Sequence, residues 1–165
     1  MDRHAIFLNG AIGVGKTTLG RGLAERLGGG FVDGDDCSDN SKPWYACIRT
    51  TSANIVRAGF ALLETHSAVV IAYPLGCSSW IYYRRKFGDA GVRPVFVTLR
   101  ASYENIVAES RGREFTSWEH ARIATMLSEG YDRRAFSDLI FDTDKAGFDE
   151  TLSDLIEAVK PLIPQ

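Results

Sequence analysis

Residues 10–18 read GAIGVGKTT, which contains the spacing G-x-x-x-x-G-K-[ST] of a phosphate-binding loop. Its glycines let the backbone approach phosphate oxygens, and the start of the following helix adds unpaired N–H groups and a positive dipole end. The Lys16 ammonium would neutralise the outer phosphates of a nucleotide, and the Thr17 hydroxyl would ligate Mg²⁺. We therefore predict a nucleotide-binding site formed by Gly10, Ala11, Gly13, Val14, Gly15, Lys16, Thr17 and Thr18.

Asp33 and Asp35, in the sequence FVDGDD at residues 31–36, form a second candidate site. They stand at the predicted end of the second strand, and ligands of an open α/β sheet bind at the carboxyl ends of its strands. The period of two along a strand places both carboxylates on the same side. One could hold a Mg²⁺-bound water, and the other could accept a proton from a substrate hydroxyl. The alternative is an acidic surface turn, since Asp and Gly are common turn residues.

Arg111 and Arg113, in the sequence RGREF at residues 111–115, lie between two predicted helices. Arginine stabilises the charge that spreads over a phosphoryl group during its transfer. We predict a catalytic role for both, and the alternative is a solvated basic loop.

Short apolar runs that alternate with helical patterns must position these residues. We predict strands at residues 5–8, 31–32, 68–72, 92–99 and 139–141. We predict helices at residues 16–27, 51–64, 78–87, 103–109, 148–159, and from a capping box at 116–119 to about 129. The strands are apolar throughout, which is typical of a parallel sheet buried on both faces. This alternation predicts right-handed crossovers in an α/β sandwich, and it leaves the strand order open.

The composition is that of one soluble domain spanning residues 1–165, with 45% hydrophobic and 24% charged residues. A net charge of −2 gives no reason to expect a nucleic acid or a membrane as partner. The apolar run near the N-terminus is too short for a signal-peptide core or a membrane span. Cys37, Cys47 and Cys77 fit no zinc or disulfide pattern. We therefore expect a cytoplasmic protein, either a monomer or a homodimer.

Four segments carry a family resemblance: GAIGVGKTT at 10–18, FVDGDD at 31–36, RGREF at 111–115 and FDTD at 141–144. In their type and order the chain resembles the small P-loop kinases, such as shikimate, gluconate and adenylylsulfate kinase, with chloramphenicol phosphotransferase nearby. The resemblance implies a three-layer α/β/α P-loop NTPase fold with a five-stranded parallel sheet of order 2-3-1-4-5, and ATP as the phosphate donor. It also implies Asp33 near the metal, Asp35 near the acceptor, a short lid at about 111–116 that carries Arg111 and Arg113, and adenine beside the loop that follows FDTD.

The third predicted strand ends in Tyr73 and Pro74, without the aspartate that P-loop GTPases and motor ATPases use there for the metal. This departure favours the small kinases, in which Asp33 could take the metal role. The G-E-x-x-F-R motif of shikimate kinase has no clear match, which counts against shikimate as the substrate.

The acceptor is expected to contact residues 37–57 and 73–85, which carry aromatic and basic side chains. We select Arg57 as a substrate-binding residue because it lies among apolar positions of its helix. Trp44 and Trp80 could flank a ring, and we prefer a packing role for both. We predict an ATP-dependent, Mg²⁺-requiring kinase that phosphorylates a hydroxyl of a small metabolite, with an acid as the leading candidate. The alternatives are a nucleoside or nucleotide kinase, and a nucleotide-binding switch or ATPase that acts through a protein partner.

Overall fold

The apolar runs form a single parallel sheet in the computed structural model, which describes residues 2–164. The strands are β1 (Arg3–Asn9), β2 (Gly30–Asp33), β3 (Ala68–Ala72), β4 (Val92–Arg100) and β5 (Leu139–Asp142). Their order is β2-β3-β1-β4-β5, and every neighbouring pair is parallel. The predicted fold class and strand order are confirmed, and all five strands end at the same edge of the sheet.

The described residues form six α-helices between and after these strands. They are α1 (Lys16–Leu27), α2 (Trp44–Leu63), α3 (Cys77–Asp89), α4 (Tyr103–Ile106), α5 (Ser117–Ser128) and α6 (Phe148–Val159). The predicted capping box opens α5: Glu119 N–H donates to Thr116 Oγ1 at 3.2 Å, and Thr116 N–H donates to Glu119 Oε2 at 2.8 Å.

The side chains of β1 show why the strands are apolar on both faces. Ile6 and Leu8 pack into the core that also contains residues of α1 and α6. Ala5 and Phe7 point the other way and pack into the core formed with α2 and α3. Helices therefore cover both faces of the sheet, and the open edge at the strand ends remains for a ligand.

Two helices differ from their predicted bounds by three residues or more at one end. Helix α2 begins at Trp44, because Pro43 precedes its first turn and its carbonyl accepts the Ala46 N–H at 2.9 Å. Helix α4 ends at Ile106, and the chain then forms a 3₁₀ turn at Glu109–Arg111. Both changes matter for the site, since the start of α2 and this turn border the same cleft.

The three cysteines are free thiols, in agreement with the absence of a disulfide pattern in the sequence. Within residues 2–164, no three His, Cys, Asp or Glu side chains are grouped so that they could hold a metal ion. In the same range, none of the helices combines the length and the apolar character needed to cross a membrane.

Candidate active site

The phosphate loop, residues 10–18, joins β1 to α1 at the edge of the sheet where the strands end. Gly10, Gly13 and Gly15 have φ angles of 151°, 78° and 109°, a region that glycine adopts at little cost. A Cβ atom on Gly13 would lie 2.6 Å from Cζ of Phe115, a residue of the predicted lid. The loop therefore needs glycine both for its own path and for the close approach of the lid.

Lys16 lies folded over the phosphate loop. Its Nζ donates to the carbonyl oxygens of Gly10 and Ala11, at 2.9 and 2.7 Å. Burial lowers the pKa of Lys16 to about 8, an effect that the negative charge of Asp35 opposes and the positive charge of Arg113 reinforces. Gly10 and Ala11 belong to the predicted nucleotide site but do not line the cleft. Their carbonyls contribute indirectly, because they hold the ammonium of Lys16, which does line it.

Asp33 and Asp35 both lie in the cleft beside Thr17. The Thr17 hydroxyl donates to Asp33 Oδ2 at 3.1 Å, and Asp33 Oδ1 accepts the backbone N–H of Asp35 at 3.1 Å. The expectation that both carboxylates extend from one strand is wrong, because β2 ends at Asp33 and Asp35 belongs to a 3₁₀ turn at Gly34–Cys37. Asp33 caps this turn, and the capping hydrogen bond brings the two acidic residues together.

The pKa of the Asp35 carboxylate is raised above that of an ordinary aspartate. It reaches solvent within the cleft, but the protein around it removes part of its hydration, and this desolvation raises its pKa. The negative charge of Asp33 raises the pKa further, while Lys16 opposes the change. A carboxylate with a raised pKa is a better proton acceptor, which suits a general base.

Arg111 ties the lid to two other segments. It donates from Nη1 to the carbonyl of Gly13 and from Nη2 to the carbonyl of Thr143, each at 3.1 Å. Thr143, just after β5, also donates its hydroxyl to the carbonyl of Val14 at 3.0 Å. The phosphate loop, the lid and the loop after β5 are thus joined, and the main contact of Arg111 is with backbone.

Arg113 is the more exposed lid arginine. Its Nη2 lies 3.1 Å from Glu119 Oε1, and its guanidinium lies over the ring of Phe115, 4.7 Å from the centroid. The Arg113 side chain is 53% exposed, and an ion pair with such exposure contributes little and exchanges easily. Arg113 can therefore turn toward a phosphoryl group at small cost.

Comparisons with known proteins were informative only at the level of structure. No protein-family model matches the chain, and no curated protein matches its sequence. A gluconokinase from Sinorhizobium meliloti 1021 is similar, with a TM-score of 0.65, 21% identity, and coverage of 94% of this chain and 95% of that chain. An APS kinase from Mycobacterium tuberculosis, in complex with AMPPNP and APS, has a TM-score of 0.61 at 17% identity and covers 96% and 98%. A shikimate kinase from Bacteroides thetaiotaomicron has a TM-score of 0.59 at 17% identity and covers 96% and 97%.

These matches span almost the whole of this chain and of each similar structure. The fold is that of the small P-loop kinases. The resemblance that the four sequence segments carry is confirmed at this level.

In this P-loop kinase fold, Arg57 does not reach the cleft, and its selection as a substrate-binding residue is corrected. It lies on the exposed side of α2 and donates to Asn54 Oδ1 at 3.0 Å. Ile48, which does line the cleft, precedes Arg57 by nine residues. At about 100° per residue, the two side chains leave the helix in opposite directions.

The cleft has a volume of about 1200 Å³, and its lining continues beyond the phosphate loop into a group of residues that we call the far half. The far half consists of Trp44, Ile48, Tyr73, Trp118, Arg122, Met126 and Tyr131. The first three lie in residues 37–57 and 73–85, the segments expected to contact the acceptor, whereas the other four were not expected there. The packing role preferred for both tryptophans holds for Trp80, which stacks on Phe136 with ring centroids 5.4 Å apart. It is wrong for Trp44, which is 60% exposed and faces the cleft.

Proposed function

We propose that the protein is an ATP-dependent kinase that transfers the γ-phosphoryl group to a hydroxyl of a small molecule. The observation that carries the proposal is the linked set of Thr17, Asp33 and Asp35, in a cleft that extends beyond the phosphate loop. Hydrolysis of ATP would need the loop and a water molecule, but it would not need a second, aromatic half of the cleft. The similar structures support the proposal, since one of them, an APS kinase, is complexed with AMPPNP.

The residues around Thr17 fit a magnesium ion bound together with ATP. The Thr17 hydroxyl and the Asp33 carboxylate are hard oxygen donors that lie within 3.1 Å of each other. Mg²⁺ is typically held by one or two such protein oxygens together with phosphate oxygens and water. Thr17 and Asp33 would hold the ion, which when bound would neutralise charge on the phosphates.

Asp35 acts as the general base in this proposal. The acceptor oxygen attacks the γ-phosphorus, its proton passes to Asp35, and the bond from that phosphorus to the β–γ bridging oxygen breaks to release ADP. Lys16 and Arg113 both act electrostatically on Asp35, so their charges also lie close to the transferring group. There they stabilise the negative charge that is shared in the transition state.

The test is a comparison of Asp35→Asn with Asp36→Asn, because Asp36 is the adjacent exposed carboxylate and does not line the cleft. ADP release is measured with and without a panel of alcohols. We expect acceptor-stimulated release, a loss in kcat of about 10²- to 10⁴-fold for Asp35→Asn, and near-parental rates for Asp36→Asn. ATP affinity should not fall in either variant, because each substitution removes a negative charge, and in Asp35→Asn that charge acts on Lys16 of the phosphate loop.

Equal rates for the two variants would show that Asp35 is not the base. If no alcohol stimulates ADP release, and a protein partner changes nucleotide turnover instead, the nucleotide-binding switch replaces the kinase.

A further inference from the structure

We infer that the acceptor is an uncharged alcohol whose ring stacks on indole side chains, and not an acid. The inference rests on the proposed function and specifies the substrate class of the same site. It reverses the expectation of an acidic acceptor, which depended on basic residues such as Arg57 that the structure places outside the cleft.

The cations near the phosphates are already engaged. Lys16 and Arg111 donate to backbone carbonyls of the phosphate loop, and Arg113 pairs with Glu119. Lys16 and Arg113 can leave these partners when a nucleotide binds. Its phosphates would then accept hydrogen bonds from both side chains. A carboxylate on the acceptor would have to compete with those phosphates.

Arg122 is the cation that remains in the far half, and it too has an acidic neighbour. Its Nη1 lies 3.9 Å from Glu129 Oε2, and its side chain is 25% exposed. Glu119, which also lines the cleft, precedes Arg122 by three residues on the same face of α5. Arg122 therefore does not make the far half positive.

The whole cleft is balanced in charge before a nucleotide enters. Within residues 2–164 its lining carries four cations, Lys16, Arg111, Arg113 and Arg122, and four carboxylates, Asp33, Asp35, Glu119 and Asp144. ATP adds several negative charges to this balance. An acidic acceptor would approach Asp35 against a net negative field, whereas a neutral alcohol would not.

Two exposed indoles give the far half its affinity for a ring. Trp44, in the first turn of α2, is 60% exposed, and Trp118, in the first turn of α5, is 67% exposed. Both line the cleft, together with Ile48 and Met126. A ring with an apolar face would remove indole surface from water and would stack on it, which stabilises the complex.

Hydroxyl groups in the cleft complete the match to a hydroxylated ring. Ser78 and Ser79, at the start of α3, and Tyr73, after β3, all line it. Such neutral donors and acceptors orient a ligand through hydrogen bonds without requiring a charge on it.

The test compares neutral ring alcohols with their carboxylated counterparts. One arm pairs aldose sugars with the corresponding sugar acids, another pairs benzyl-type alcohols with the same molecules carrying a carboxylate, and a third contains acyclic polyols. Acceptor-dependent ADP release gives kcat/KM, and quenching of tryptophan fluorescence reports binding without nucleotide. We expect a neutral ring alcohol to exceed its carboxylated counterpart by about tenfold or more in kcat/KM. The sugar and benzyl arms identify which ring is preferred.

Variants separate stacking from charge. Trp118→Ala should raise the KM for the ring alcohol about tenfold or more. Tyr45→Ala removes an aromatic side chain that is 68% exposed and does not line the cleft but packs edge-on against Trp44, with ring centroids 6.0 Å apart; it should change that KM much less than Trp118→Ala does. Arg122→Gln removes the charge of the far half, and it should raise the KM for the ring alcohol less than Trp118→Ala does.

Preference for a carboxylated acceptor, or dependence of the best acceptor on Arg122 but not on Trp118, overturns this inference and leaves the kinase function intact. If no arm is phosphorylated, the proposed function itself fails and the inference with it.

Discussion

Replacement of Gly13 by alanine measures how closely the lid packs on the phosphate loop. Gly13 has a φ of 78°, and this left-handed conformation costs a residue with a side chain about 1–2 kcal/mol. The added Cβ would also lie 2.6 Å from Phe115 Cζ and 3.0 Å from Ile106 Cγ2. Overpacking of this kind costs about 1–3 kcal/mol. We therefore expect the free energy of unfolding, measured by urea denaturation, to fall by about 2–5 kcal/mol.

Gly91→Ala is the matched control for this experiment. Gly91 has a φ of 71°, and nothing lies within 4 Å of the position that its Cβ would take. Gly91→Ala should therefore show only the backbone cost of about 1–2 kcal/mol. In a double-mutant cycle with Phe115→Ala the closer of the two contacts is absent, whereas the contact with Ile106 remains. Part of the loss caused by Gly13→Ala should therefore be recovered, by about 1–2 kcal/mol. Equal losses for the two glycine variants, or simple additivity with Phe115→Ala, would refute the described contact.

Three further predictions concern the chemistry. Lys16→Ala should abolish phosphoryl transfer and weaken ATP binding, because the ammonium is expected to meet the β and γ phosphates; near-normal turnover of the folded variant would exclude the kinase mechanism. Asp33→Asn should shift the Mg²⁺ titration of activity to higher concentrations. The negative charge of Asp33 raises the pKa of Asp35, and the rate falls as the pH drops through that pKa. In Asp33→Asn the acid limb of the pH profile should therefore move to lower pH. If the Mg²⁺ titration and the pH profile both stay unchanged, Asp33 neither holds the metal nor tunes Asp35. Arg113→Ala should lower kcat more than it lowers ATP affinity. Arg111→Ala removes two hydrogen bonds to backbone carbonyls, so it should lower ATP affinity and stability as well. Identical effects of the two variants on kinetics and melting temperature would contradict these different roles of the two arginines.

Local sequence patterns predict most of the fold because the strands and helices here follow local rules. The final helix lies at residues 148–159 as predicted, since its apolar residues recur at helical spacing and Gly147 precedes its start. The capping box formed by Thr116 and Glu119 likewise allowed the start of α5 to be predicted from the sequence. The strand order was not, because it depends on contacts between distant segments, and it came from the resemblance carried by four motifs.

The near half of the site was predictable for the same reason, since the phosphate loop is one continuous segment. The far half was not, because its lining comes from α2, from the chain after β3 and from α5, which are far apart in the sequence. Arg57 was selected from the sequence alone, which does not show in which direction each side chain of α2 points. Because α2 begins at Trp44, earlier than predicted, it is Trp44 that lines the cleft. Trp118 and Arg122 are four residues apart at the start of α5, a spacing that places two side chains on the same face of a helix. This spacing could have indicated that both line the cleft.

The destination of the γ-phosphate tests the central claim most directly. The protein is incubated with ATP labelled at the γ-phosphate and with the panel of ring alcohols, and organic phosphate is then separated from inorganic phosphate. We expect the label to appear mainly in a phosphate monoester of one neutral ring alcohol, and we expect Asp35→Asn to abolish this product. Recovery of all the label as inorganic phosphate, at a rate that no acceptor changes, would contradict the central claim.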